Sequence, residues 1–128
     1  MTTEQNKATV RRYINEVLVG GNVDLVDDLL GPDYVNAAMG GMDRAAFKAW
    51  LSTNSAGPGG QMDLLDLIAE GDAVVARFTY GITLPSGESI TARGMTYYRL
   101  DGGRIVEDDP ITSPDLMQAF GVEAKSVK

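Results

Sequence analysis

Downstream of Gly60 the chain stops repeating every three to four residues and begins to alternate. The gaps between the alternating runs are too short to hold a helix. Residues Met62 to Ala69, Ala73 to Leu84, Ser89 to Leu100 and Arg104 to about Thr112 read as strands. Glu70-Gly71-Asp72, Pro85-Ser86-Gly87-Glu88 and Asp101-Gly102-Gly103 read as the turns between them. A parallel return needs a crossover of about a dozen residues or more, so such short connections force antiparallel neighbours.

The preceding part is helical. Val10, Tyr13, Ile14, Val17 and Leu18 form one apolar stripe, with Thr2 or Thr3 able to cap its start and Gly20-Gly21 able to end it. Asn22 can cap a short second helix whose acids, Asp24, Asp27 and Asp28, stand apart from Leu25, Val26, Leu29 and Leu30. Gly31-Pro32 is expected to stop it. Asp43 can cap a third helix with Phe47, Trp50 and Leu51 on its apolar face. The run Asn54 to Gly60 is a loop by composition, Pro114 to Phe120 can add a final helical turn or two, and Lys125 to Lys128 is expected to fray. Helices first and a meander afterwards is an α+β pattern, one domain over residues 1–128.

Two missing residue types narrow the chemistry. The chain has no cysteine and no histidine, which removes disulfides, thiolate nucleophiles, Ser-His-Asp triads and imidazole or thiolate metal ligands. Proton transfer near neutral pH must then come from a carboxyl, Tyr or Lys retuned by burial. The carboxylates are scattered, so no metal and no cofactor are expected. With 18 acidic against 11 basic residues the net charge is −7, which disfavours nucleic acid as a partner. No apolar run spans a membrane and the N-terminus does not read as a signal peptide, so a cytoplasmic protein is expected.

Alternation assigns the sheet faces. Val74, Ala76, Phe78 and Tyr80 oppose Val75, Arg77 and Thr79, while Ala92, Gly94, Thr96 and Tyr98 oppose Arg93, Met95, Tyr97 and Arg99. Both faces carry apolar or aromatic residues. The outer one is therefore expected to pack on a second copy, giving a homodimer.

Val10-Arg11-Arg12-Tyr13-Ile14, Gly20-Gly21-Asn22-Val23-Asp24 and Pro32-Asp33-Tyr34-Val35-Asn36 resemble the opening of SnoaL-like polyketide cyclases, within the nuclear-transport-factor-2-like superfamily. The run Asp66 to Phe78, then Gly103-Arg104-Ile105-Val106-Glu107-Asp108 and Leu116 to Gly121, are similar as well. The resemblance implies a cone: a curved, largely antiparallel sheet wrapped around three N-terminal helices, with a deep apolar pocket for a small ligand. It also implies a carboxylate on the last long strand as acid and base in an aldol closure. Aligned from the C-terminal helix, that carboxylate falls on Asp109; aligned from Gly103, the position falls on Pro110, one residue apart. Asp109 is taken as the candidate, with Asp108 beside it.

The same resemblance places the family's Asn on Asn36, and its Gln and His on Gly94 and Thr96. Tyr13 matches a helix tyrosine of ketosteroid isomerases, whose two carboxyls fall on Ala38 and Thr96. The Arg-x-Asp of limonene-type epoxide hydrolases reads Arg77-Phe78-Thr79. Asn36, Tyr13, Thr96, Arg77, Trp50 and Tyr98 are the candidate substrate-binding residues. A cofactor-free cyclase or isomerase is the leading expectation. A non-catalytic binding or dimerisation module and an epoxide hydrolase are the alternatives.

Overall fold

Helix α1 (Thr3–Arg12) starts at a reciprocal cap: the Gln5 amide donates to Thr2 Oγ1 at 3.1 Å, and the Thr2 amide donates to Gln5 Oε1 at 2.9 Å. The helix widens into a π-helical stretch, Tyr13–Val19, and leaves through Gly21 at φ 72°. Val10, Tyr13, Ile14 and Val17 are buried, so the apolar stripe read from the sequence is the face against the sheet. A computed structural model describes residues 1–54, 61–83 and 86–113. The loop over 55–60, residues 84–85 at the second turn, and the final helical turns and frayed end expected from Pro114 onward lie outside the described residues.

A 3-10 turn, Val23–Leu25, capped by Asn22, leads into α2 (Val26–Leu29). The helix ends at Leu29, ahead of Gly31-Pro32 as expected, and that pair lies inside a strand the sequence reading did not assign, β1 (Leu30–Asn36). Proline lacks the N–H a regular ladder uses, and the pairing of β1 slips between Leu30 and Val35 around it. A short β2 (Met42–Asp43) follows and then α3 (Arg44–Asn54), where the Ala46 amide donates to Asp43 Oδ1 at 2.9 Å.

The long strands are β3 (Gln61–Glu70), β4 (Ala73–Thr83), β5 (Ser89–Asp101) and β6 (Arg104–Ser113). They form the expected antiparallel meander. β1 adds to β6 in parallel and β2 closes the order β2-β1-β6-β5-β4-β3. The result is the expected α+β architecture, three N-terminal helices against a curved, open, mixed sheet. Its inner face packs Val74, Ala76, Tyr98, Leu100 and Ile105 against the helices.

One irregularity decides what the inner face presents. Leu100 pairs with Ile105, but Arg99 pairs with Glu107, so Val106 has no opposite number on β5. Ile105 and Val106 are consecutive and both buried, as a bulge permits. Val106 packs on β1, where a side chain at Gly31 would come within 2.9 Å of Val106 Cγ1. Beyond the bulge, every β6 side chain sits on the opposite face from the one that regular counting from the hairpin gives.

On the outer face, Ile68, Met95 and Ile111 are 67%, 53% and 72% exposed, with Tyr97 nearby on β5. Two ion pairs interrupt this face, Arg77 with Asp66 and Arg99 with Glu107.

Candidate active site

Asn36, Asp108 and Tyr98 lie side by side on three adjacent strands: Asn36 pairs with Asp108 across β1 and β6, and Asp108 pairs with Tyr98 across β6 and β5. All three are buried. Tyr34, two residues before Asn36 on the same face of β1, donates its hydroxyl proton to Asp108 Oδ2 at 2.7 Å. Asn36 Nδ2 donates to the Tyr34 oxygen at 3.4 Å, and Asn36 Oδ1 accepts from the Met39 amide at 3.2 Å. From the helix side comes Tyr13. It is fully buried, stands edge-on to Tyr98 at 6.0 Å, and its hydroxyl faces Asp108 and Tyr34.

Burial is the main influence on the carboxyl. It pushes the Asp108 pKa up from 3.8 to about 7. The Tyr34 hydrogen bond opposes that rise, the neighbouring charge of Asp109 adds to it, and the Tyr13 hydroxyl opposes it further. Burial and the charge of Asp108 hold the phenols of Tyr13, Tyr34 and Tyr98 well above 10, so each keeps its proton at neutral pH. A carboxyl that titrates near neutrality can both accept and return a proton, and three protonated phenols around it can donate hydrogen bonds.

Strand alternation separates the tandem acids. Asp108 points inward and is 4% exposed; Asp109 pairs with Tyr97 on the outer face and is only partly buried. The inward acid is thus the residue before the one the alignment favoured. Tyr13, Asn36 and Tyr98 lie around Asp108, and Thr96 is buried on the same face of β5, two residues before Tyr98. Arg77 is not: it is on the outer face, 2.7 Å from Asp66 and half exposed. The Arg77-Phe78-Thr79 run therefore does not place its Arg and Thr beside the interior acid. Trp50 stacks on Phe47 at 6.2 Å, and Phe47 packs on Tyr34 at 5.4 Å.

Gly94, where the resemblance places a Gln, is closed by other groups. A Cβ there would lie 2.7 Å from the Ile111 carbonyl oxygen and 2.8 Å from the Phe78 ring. Tyr34 was not among the candidate residues, although its parity with Asn36 on one strand was the signal that could have found it. Among the described residues there is no group of three or more carboxylates able to hold a metal ion, and no helix is long and apolar enough to cross a membrane.

A curved sheet closed by three helices around a buried acid and phenols places the protein in a recognisable class. Residues 10–108 match the SnoaL-like domain, and the chain belongs to that family. A protein of Acidithiobacillus ferrooxidans described as a candidate polyketide cyclase is similar at 25% identity, over 96% of this chain and 100% of that one, with a TM-score of 0.74. A SnoaL-like candidate polyketide cyclase from Jannaschia sp. CCS1 shares the fold at 19% identity, over 98% of this chain and 95% of that one, with a TM-score of 0.77. An NTF2-like protein of unknown function from Mesorhizobium loti is 26% identical over 86% of this chain and 92% of that one, with a TM-score of 0.69. No curated protein sequence matches the chain.

Proposed function

We propose that the protein is a cofactor-independent cyclase or isomerase for an apolar, carbonyl-bearing small molecule, with Asp108 as the proton carrier. The observation behind this reading is a buried carboxyl of pKa about 7 with the fully buried hydroxyl of Tyr13 beside it. In the closure, the Asp108 carboxylate takes a proton from the carbon next to a substrate carbonyl, and the Tyr13 hydroxyl donates a hydrogen bond to the enolate oxygen that forms. The enolate carbon then bonds to a second carbonyl carbon of the same molecule, and the protonated Asp108 returns its proton to the new alkoxide. The apolar walls hold the substrate folded, which brings the two carbons together without further entropy loss. No residue outside this group is asked to move a proton.

Deuterium wash-in tests the reading. The protein is incubated in D2O with an aromatic 1,3-diketone, and exchange at the central carbon is followed by NMR. Catalysed exchange is expected for the unaltered protein and for Asp109→Asn, with a fall of about 100-fold or more in Asp108→Asn. Equal rates in the unaltered protein and Asp108→Asn would remove Asp108 from the role.

The outer sheet face supports a homodimer, since it exposes Ile68, Met95 and Ile111 together. A charge placed in that face, Ile111→Glu, is expected to give a monomer in sedimentation; an unchanged molecular mass would move the interface elsewhere.

A further inference from the structure

We infer that Tyr34 and Asn36 are positioning residues, a one-way hydrogen-bond chain that fixes Asp108 and selects which of its oxygens is free to react. The inference rests on the reading of Asp108 as proton carrier, but its geometry stands apart from any substrate.

The direction of the chain follows from its far end. An amide's oxygen and nitrogen are told apart by their partners. The Met39 backbone N–H can only donate, and it lies 3.2 Å from the side chain of Asn36, so that side is the oxygen Oδ1. Nδ2 must then face Tyr34, 3.4 Å away, and the phenol oxygen is the acceptor. A phenol has one proton. With its oxygen accepting from Asn36, that proton points along the 2.7 Å contact to Asp108 Oδ2. Phe47, 5.4 Å from the Tyr34 ring, holds the ring in place. Oδ2 is therefore engaged by the protein, and Oδ1 is the oxygen available for proton transfer. Asn36, which the sequence suggested as a substrate ligand, has its carbonyl and one N–H committed inside the protein.

The groups that face Asp108 are few. Tyr13 approaches from the first helix, Tyr34 from β1 and Tyr98 from β5, while Asp109 is its neighbour along β6. All three phenols are protonated at neutral pH, and Tyr34 is the one with a hydrogen bond of good geometry to the carboxyl. A donor to a carboxylate favours the charged form. Removing the donor must therefore raise the titration midpoint of Asp108, whereas a purely packing role for Tyr34 would leave that midpoint alone.

The experiment is a pH titration of the Asp108 side-chain carboxyl by carbon-13 NMR in the full chain. Tyr34→Phe keeps the ring against Phe47 and removes the hydroxyl. It is expected to raise the midpoint by about one to two pH units. Asn36→Ala is expected to raise it less, and to add nothing in the Tyr34→Phe background, because Asn36 acts only through Tyr34. In the unaltered protein, the Tyr34 Cζ signal is expected to shift with the Asp108 midpoint. An unchanged or lowered midpoint in Tyr34→Phe overturns the inference, as does an equal Asn36→Ala shift in both backgrounds. Should Tyr34→Phe fail to fold, the Tyr34 Cζ signal decides: silence across the titration overturns the chain. None of these readings involves turnover, so absence of deuterium wash-in would sink the proposed function while leaving the chain to stand or fall separately.

Discussion

Asp108→Asn is expected to stabilise the protein at pH 8 by up to about 4 kcal/mol, and to leave stability at pH 4 little changed. The sign follows from the direction of the shift. The folded carboxyl titrates at about 7 and an ordinary Asp at 3.8, so between those values the folded state binds more protons than the unfolded one. Stability is thus fully present below about pH 4 and is lost as the pH rises through 7, the reverse of an aspartate held low by a cation. Asparagine cannot ionise, and its oxygen can still accept the Tyr34 hydroxyl. Urea denaturation at several pH values checks this: the unaltered chain should weaken between pH 4 and 7 relative to Asp108→Asn. Parallel curves would mean that the acid is better solvated than its burial implies. A residue that costs stability at working pH is what a proton carrier in a dry site is expected to be.

Gly94→Ala is the second large effect, a loss of about 1–3 kcal/mol in thermal or denaturant unfolding. The added methyl would meet the Ile111 carbonyl oxygen at 2.7 Å, the Phe78 ring at 2.8 Å and Thr112 Cγ2 at 2.8 Å. A rotamer change can move the last two, but the carbonyl belongs to the β5–β6 ladder and cannot give way without disturbing it. Restoring the family's amide by Gly94→Gln should cost more than the alanine does. A well-tolerated Gly94→Gln would show that the Phe78 ring has room to withdraw and that the amide site persists behind it.

The change of period and the turn residues were enough to read four long strands, and strict alternation gave the correct faces of β4 and β5. β1 was not legible. Its Gly31-Pro32 pair carries the signature of a helix stop, and the chain satisfies that signature by ending the helix two residues earlier and placing the proline where pairing with β6 slips. Tertiary pairing overrode a local signal there.

That Asp108 and not Asp109 faces inward has an equally definite cause. Counting regularly back from the Asp101-Arg104 hairpin pair would set Asp109 opposite Thr96, on the inner face. The unpaired Val106 shifts the count, so that Asp108 comes opposite Tyr98. Bulges leave little trace in composition, and two adjacent acids offer either parity a carboxylate. The tyrosines were legible as residues but not in their arrangement, because Tyr34 meets Asp108 from a point 74 residues away along the chain.

The chain has no histidine, the usual supplier of a group half-charged at neutral pH. Removing Asp108 from water furnishes that property by another route. Near pH 7 the interior holds a mixture of molecules that have stored a proton and molecules ready to receive one. A donor and an acceptor form thus coexist in the resting population, and neither has to be recruited from solvent when a guest arrives.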